Sequence, residues 1–175
     1  MNTKRALKTL AKMNSTIYYQ VINSELTLVS DTHAIFTIYT SEWEELKDVC
    51  FKHNSLVNGT DLLKLLREFN SNKKLAVRTS IVLDDDDNRD LVVYKYINNN
   101  ACVRFRTVNR VYLDILNDLQ EYNTWSGASV AMNNRNYNCL PVINVVDAYD
   151  TFYGGWAIMP VNYDVEGTLK KVLGI

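Results

Sequence analysis

The chain has 175 residues, of which 47% are hydrophobic and 22% are charged, and its formal net charge is −1. This composition is typical of a globular domain that buries an apolar core, and the balanced charge excludes a uniformly basic nucleic-acid-binding protein. Six glycines and two prolines are too few for a linker-rich or disordered chain, and no apolar run approaches the ~20 residues that a membrane-spanning helix needs.

The first predicted elements are a helix and a three-strand meander. Apolar residues at i, i+3 and i+4, with lysines at i+4 spacing, predict an amphipathic helix over residues 3–13. Runs of β-branched and aromatic residues, separated by short turns, predict strands at 17–21, 25–29 and 34–40. After them, the capping-box spacing of Ser41 and Glu44 predicts a helical turn, and residues 49–51 are predicted to form a short edge strand.

The same order of elements follows twice more. Asn58 or Thr60 is predicted to cap a helix over 61–70, whose buried side chains are Leu62, Leu63, Leu65, Leu66 and Phe69. Strands are predicted at 73–82, 90–97 and 101–108. The third cycle has a helix over 110–122 and strands at 126–132, 140–148 and 156–161, and a short helix is predicted near the end of the tail.

One supersecondary unit therefore recurs at a period of roughly 50 residues. We predict an α+β fold built from repeated helix-plus-antiparallel-meander units. The predicted domain spans residues 1–161 and contains three half-units, followed by a C-terminal tail over 162–175. The half-units cover residues 3–40, 59–108 and 109–161.

This order of elements resembles the bacterial-type DNA polymerase sliding clamp, or processivity factor, most strongly over residues 108–161. Residues 108–119 resemble the last helix of a clamp, and residues 145–148 and 156–161, which contain Met159-Pro160, resemble its last two strands. The resemblance implies a non-enzymatic protein without a cofactor that binds duplex DNA and recruits a DNA polymerase or another protein partner. A bacterial clamp subunit has six such halves and dimerises, so three halves imply a homo-oligomer.

The resemblance also implies a DNA-binding surface, because clamp helices present lysine and arginine to the phosphate backbone without reading sequence. Counterion release makes such binding favourable wherever cationic density is sufficient. The corresponding residues here are Lys4, Arg5, Lys8, Lys12, Lys64, Arg67, Lys73 and Lys74. The alternative interpretation is a set of solvated helix faces, which Asp114, Asp118 and Glu121 in the third helix favour.

The last predicted strand is the second candidate site. The terminal strand of a clamp contributes to an apolar pocket for short partner peptides, and by position this implicates Ala157, Met159, Pro160 and Val161. Proline fits an edge strand and methionine fits an adaptable surface. The alternative interpretation is an ordinary core strand.

Other chemistry-bearing residues do not form a recognisable catalytic or metal-binding motif. The acidic run 84–87 lacks the glycine and distant glutamate of a calcium loop, so it is predicted to be a solvated hairpin tip. His33 and His53 have no ligand or catalytic partner at the required spacing. Gly154-Gly155 is predicted to be a turn that opens the last strand. The neighbouring aromatic residues are predicted either to pack in the core or to contact a partner: Tyr149, Phe152, Tyr153 and Trp156.

Two further observations bear on the cellular location of the protein and on the kind of genome that encodes it. Three widely spaced cysteines, without a secretion signal, predict reduced thiols in a cytoplasmic protein. The abundance of asparagine and tyrosine is often associated with AT-rich genomes, including those of phages and other mobile elements. An alternative function is therefore a small phage-type interaction protein that binds and inhibits a host protein, for which the acidic run would supply contacts.

Overall fold

The computed structural model describes residues 2–59, 61–71, 73–85, 87–98, 100–119, 128–131 and 142–174. The helices are α1 (Thr3–Met13), α2 (Thr40–Cys50), α3 (Leu62–Ser71), α4 (Arg110–Asp118) and α5 (Val165–Leu173). The strands are β1 (Thr16–Val21), β2 (Leu26–Ser30), β3 (Ala34–Tyr39), β4 (Ser55–Asn58), β5 (Lys73–Asp84), β6 (Asp90–Ile97), β7 (Val103–Asn109), β8 (Ala128–Ala131), β9 (Val142–Ala148) and β10 (Thr151–Ile158). The structure confirms the predicted α+β class.

The ten strands form one sheet in the order β4-β1-β2-β3-β10-β9-β8-β5-β6-β7. Three meanders of consecutive antiparallel strands follow one another across it, because β3 pairs with β10 and β8 pairs with β5. The edge strand β4 is parallel to β1, with Ile17 opposite Leu56. Helices α1, α3 and α4 precede the three meanders along the chain, while α2 and β4 lie outside this pattern.

Helices cover both faces of the sheet. Residues of α1, α2 and α4 share one apolar cluster with alternate strand residues; Leu7, Trp43, Tyr112, Phe36 and Trp156 are among them. Leu66 and Phe69 of α3 belong to a second cluster. Its strand residues, such as Leu28 and Ile143, alternate along the strands with those of the first cluster. Because successive strand residues point to opposite faces, we call the two sides the three-helix face and the α3 face.

The stretch after β3 differs from the prediction. Val49 and Cys50 end helix α2 and Phe51 follows it, so the predicted edge strand at 49–51 is wrong. The reason is that Trp43, Leu46 and Cys50 lie at helical spacing and turn one side of α2 toward the core. The residue before α2, Tyr39, makes no side-chain cap, and the edge strand of this region is β4.

Helix α3 begins at Leu62, one residue after the predicted start. Asn58 ends β4, Thr60 lies outside the described residues, and the backbone N–H of Leu63 donates to Gln20 Oε1 at 2.9 Å. A side chain from β1 therefore satisfies a free N–H of the first turn, which no local motif announces. Leu65, predicted to be buried, is exposed because α3 uses a narrower apolar stripe.

The predicted turn at Gly154-Gly155 lies instead within β10. The β9–β10 turn is made by Tyr149 and Asp150, which have positive φ values of 51° and 61°. A β-bulge separates Phe152 from Gly154, and Gly155 pairs with Val145 in the middle of the ladder. These glycines therefore permit a close approach between strands rather than a reversal of the chain. Within the described part of the chain, no helix has the length and apolar character needed to cross a bilayer.

Candidate partner-binding cleft

The segment after β10 runs from the middle of the sheet to its far edge. The backbone N–H of Met159 donates to His33 O at 2.7 Å, in the turn between β2 and β3. Two residues later, the N–H of Val161 donates to Thr107 O on β7 at 2.8 Å, and Thr107 Oγ1 donates to Val161 O at 3.1 Å. Pro160 has no N–H to place, so it fits between these two anchored positions.

A cleft of about 410 Å³ opens beside this segment, and we call it the 159–162 cleft. Its walls combine apolar side chains with amides, one imidazole, one phenol and one guanidinium. The lining residues are Met13, Asn14, His33, Arg89, Asn109, Tyr112, Met159, Pro160, Val161 and Asn162. Clefts of this size and mixed character accommodate a few side chains of a ligand and fix its orientation through polar groups.

A buried carboxylate, Asp31, is hydrogen-bonded to three of the residues that line the cleft. Asp31 is 4% exposed, and its Oδ2 accepts hydrogen bonds from Tyr112 Oη and Asn14 Nδ2, both at 2.7 Å. Its Oδ1 accepts from the backbone N–H groups of His33 at 2.7 Å and Ala34 at 2.8 Å. Burial, and then the neighbouring Asp31, raises the pKa of Tyr112, so the phenol stays a donor. The four donors make Asp31 a rigid junction between α1, the β2–β3 turn and α4.

Arg89 enters the cleft from the acidic hairpin. Its Nε donates to Asp85 Oδ2 at 2.6 Å, while Asp85 Oδ1 accepts from the backbone N–H of Arg89 at 2.8 Å and of Asp87 at 3.0 Å. Burial would raise the pKa of Asp85, but the backbone and side-chain hydrogen bonds from Arg89 outweigh it and lower the pKa. The predicted hairpin tip does connect β5 to β6, although Asp86 lies outside the described residues. Asp85 organises the turn rather than remaining simply solvated.

The two histidines occupy unrelated positions. The ring centroid of His33 lies 6.4 Å from that of Tyr112, and its Nδ1 is 2.9 Å from Thr32 Oγ1. His53 is exposed in the loop after α2. Among the residues that the structure describes, no group of three or more histidine, cysteine or acidic side chains is placed to hold a metal ion.

Three of the four predicted partner-binding residues line the cleft. Met159, Pro160 and Val161 are half-buried there. Ala157 is instead buried in β10, paired with Ile35 and Ile143 on the α3 face. The structure therefore separates Ala157 from the other three, and its place is in the core.

The predicted basic residues fall into separate groups. Lys4, Lys8 and Lys12 are exposed along α1, on the three-helix face, and we call them the α1 lysine stripe. Arg5 forms a bidentate ion pair with Asp118 of α4. The others lie on α3 or in β5: Lys64 is exposed, Arg67 pairs with Asp147 at 3.0 Å, Lys74 is half-buried, and the side chain of Lys73 lies outside the described residues. Because α1 and α3 lie on opposite faces, these residues do not form one surface.

Acidic residues flank the α1 lysine stripe. Helix α2 packs beside α1 and carries four carboxylates against a single lysine: Glu42, Glu44, Glu45 and Asp48 against Lys47. Thr3 Oγ1 donates to Glu42 Oε2 at 2.9 Å, which brings α2 close to the start of α1. On the other side, α4 exposes Asp114; Glu121 lies outside the described residues. The three-helix face is therefore mixed in charge, as the predicted acidic third helix indicated.

The aromatic residues around the β9–β10 turn do not cluster. Phe152 and Trp156 are buried in the two different apolar clusters, on opposite faces of the sheet. Tyr149 is fully exposed at the turn and Tyr153 is exposed beside it. The core interpretation therefore holds for two of the four residues, and the other two are surface side chains.

Several residues that form or support the cleft are not predicted as site residues from the sequence. Asp31 falls between the predicted strands 25–29 and 34–40, and Tyr112 and Met13 fall in predicted helices. An aspartate that opens a turn often accepts hydrogen bonds from the backbone two or three residues later, which was the available signal for Asp31. Nothing local indicates its bond to Tyr112, 81 residues away.

Comparisons with known proteins found no matching family model, no matching curated protein and no matching solved structure. The resemblance to a sliding clamp therefore stays a prediction.

Proposed function

We propose that this protein is a non-enzymatic, clamp-like adaptor that recruits a replication or repair protein by binding a short segment of it in the 159–162 cleft. The observation that carries the proposal is the course of Met159, Pro160 and Val161. They leave the sheet, are anchored at both ends by backbone hydrogen bonds, and line a cleft in which three other lining residues are fixed by hydrogen bonds to Asp31. A preformed cleft reduces the ordering cost of binding a flexible segment.

The mixture of groups in the cleft favours a peptide over a purely apolar ligand. Met13, Met159 and Pro160 offer apolar contacts that adapt to a side chain. Asn162 offers an amide that can pair with a peptide backbone. Asn14 and Asn109 offer the amide groups that their hydrogen bonds within the chain do not use. Short peptide motifs are commonly bound in this way, by a few apolar anchors and a few oriented hydrogen bonds.

The proposal is tested by recovering bound proteins from an extract of the native host, with the native chain and with variants that block the cleft. Pro160→Glu and Asn162→Trp should each lose a replication or repair protein that the native chain retains. Tyr153→Ala, which alters an exposed side chain outside the cleft, is the matched control. Recovery of the same protein by all four chains would show that the cleft is not its binding site.

We further propose that the α1 lysine stripe binds duplex DNA without sequence preference. Three exposed lysines at i, i+4 and i+8 support this part of the proposal, and none of them has an ion pair with a described residue. Binding through so few charges should be weak, and it should fall as salt rises with a slope set by the small number of phosphates contacted.

The DNA proposal is tested by a double charge reversal on α1, with a single charge reversal on the opposite face as its control. Lys8→Glu with Lys12→Glu should abolish binding of a short duplex at low salt, as measured by fluorescence anisotropy. Lys64→Glu changes an exposed lysine on the opposite face and should leave binding nearly unchanged. Equal loss in both variants would point to overall charge rather than to the α1 lysine stripe.

One observation favours the second candidate, a small interaction protein that binds and inhibits a host protein. The carboxylates of α2 and α4 flank the α1 lysine stripe and weaken its attraction for a polyanion. Absence of DNA binding at low salt, together with a cleft-dependent host partner whose activity falls on binding, would support this candidate over the clamp-like adaptor.

A further inference from the structure

A second apolar surface lies on the α3 face of strands β5, β6 and β7, away from the 159–162 cleft. Four aliphatic side chains there are strongly exposed: Leu75 at 69%, Val77 at 49%, Ile97 at 60% and Val103 at 51%. The register brings them together, because Val77 is opposite Lys95 and Ile97 is opposite Val103. We call this surface the β5–β7 patch.

The same face of the sheet is covered elsewhere. Under α3, Leu66 and Phe69 are buried in one cluster with residues of β2, β3, β9 and β10. At the other end of β6, Leu91 and Val93 point to this face and are fully buried. Isolated exposed aliphatic residues are ordinary, whereas a contiguous exposed group marks an interaction surface.

The β5–β7 patch has a concave, cationic character. It encloses a cavity of about 530 Å³, lined by the four aliphatic residues together with Tyr96, Lys74 and Lys95. One lysine side chain of this face, Lys95, lies opposite Val77. Lys74 lies two residues before the buried Ala76 and, like it, points to the other face. The lining residues include no carboxylate. An occupant that matches this surface has an apolar side and carboxylates beside it.

We propose that the β5–β7 patch binds an acidic amphipathic helix of a partner protein. Helix α3 is the internal precedent, since its apolar stripe covers the same face of the sheet while Arg67 at its margin pairs with Asp147 of β9. A partner helix with carboxylates at its margin, where α3 carries Arg67, would cover the patch in the same way and pair those carboxylates with Lys95. A symmetric contact between two copies of this chain is disfavoured, because it would bring their Lys95 side chains together.

Two synthetic helical peptides test this proposal. They share one leucine stripe, and their remaining positions are glutamate in one and lysine in the other. The acidic peptide should bind the full chain at least about tenfold more tightly than the basic peptide at low salt, which calorimetry measures directly. Lys95→Glu should narrow or reverse this preference, and Ile97→Asp should abolish binding of the acidic peptide.

Val49→Asp is the matched control, because it changes a similarly exposed aliphatic residue (44%) on helix α2. It should leave the acidic peptide's affinity unchanged. Equal affinity for the two peptides, or no binding of either, would overturn the proposal. So would a dimer, detected by light scattering, that Ile97→Asp dissociates, since the occupant would then be a second copy.

Discussion

At the scale of single residues, the Asp31–Tyr112 hydrogen bond joins two distant parts of the chain and holds one of the residues that line the cleft. Replacing Tyr112 with phenylalanine removes one donor from a buried carboxylate while leaving the ring in place. We expect the free energy of unfolding to fall by about 1.5–3 kcal/mol, the range for hydrogen bonds to charged groups. Urea denaturation measures this loss, and Tyr149→Phe, at a fully exposed phenol, should change stability very little.

Gly155 occupies a position that a larger residue does not fit. A Cβ atom there would lie 2.7 Å from Asn144 O and 2.9 Å from Val145 Cα, both backbone atoms of β9. In addition, Thr37 Oγ1 donates to Gly155 O at 2.7 Å and accepts from its N–H at 3.1 Å, so the strand has little freedom to shift.

We therefore expect Gly155→Ala to lower the free energy of unfolding by about 1–3 kcal/mol through overpacking. Chemical denaturation followed by tyrosine and tryptophan fluorescence would measure the effect. Gly59→Ala provides the comparison, because its nearest non-bonded neighbour would be a leucine side chain at 3.4 Å. A similar cost in both variants would argue for a general loss of glycine flexibility instead of a contact in β10.

At the scale of elements, the Arg5–Asp118 ion pair links α1 to α4, and the backbone N–H of Asn2 adds a hydrogen bond to Asp118 O at 2.8 Å. The side-chain hydrogen bond from Arg5 lowers the pKa of Asp118. A carboxyl group with a lowered folded-state pKa contributes stability that is fully present above its unfolded pKa of about 3.9. This contribution is lost as pH falls through the lower folded-state value.

We expect Arg5→Gln to be less stable than the native chain near neutral pH, and the difference to shrink as the pH is lowered below about 4. Unfolding curves collected between about pH 2 and pH 7 for both chains would show this convergence. Lys12→Gln, a change on the same helix away from Asp118, should give a difference that does not converge in the same way.

Local patterns predicted most elements of the fold, because each meander strand alternates over a short run and ends at a clear turn. The prediction was wrong where tertiary contacts dominate. The bond from the N–H of Leu63 in α3 to Gln20 of β1 was not predicted. The predicted edge strand at 49–51 is replaced by β4, which joins the sheet through a parallel pairing with β1 that no hairpin pattern indicates. The same holds for the cleft. Met159 and Pro160 were predicted as site residues from their place in the last strand, whereas the Asp31–Tyr112 hydrogen bond depends on a contact made only on folding.

At the scale of the whole molecule, the clamp-like proposal requires more than one copy, since three half-units are too few to encircle a duplex. We expect light scattering to give a mass above the 20.2 kDa of one chain. A strictly monomeric protein at high concentration would contradict ring formation, while leaving recruitment through the 159–162 cleft open to its own test.

The sheet edges limit how copies could join. At β7, Arg106 Nη1 donates to Phe105 O at 2.8 Å and Val161 already pairs with Thr107. Side chains and segments that occupy an edge in this way oppose strand addition by another molecule. The shorter edge, β4, is therefore the more accessible one for extension of the sheet.

The bridge between Val161 and Thr107 has a mechanical consequence. Six strands, from β10 through β9, β8, β5 and β6 to β7, are hydrogen-bonded in series, and this bridge returns the chain from β10 to the last of them. The six strands and the segment after β10 therefore form a closed ring of hydrogen-bonded elements. The Val161–Thr107 bridge closes this ring, and Val161 also lines the cleft. A ligand that binds only while the Val161–Thr107 bridge is formed would stabilise the closed ring. Its binding should therefore slow hydrogen exchange in β7 as well as at the cleft itself.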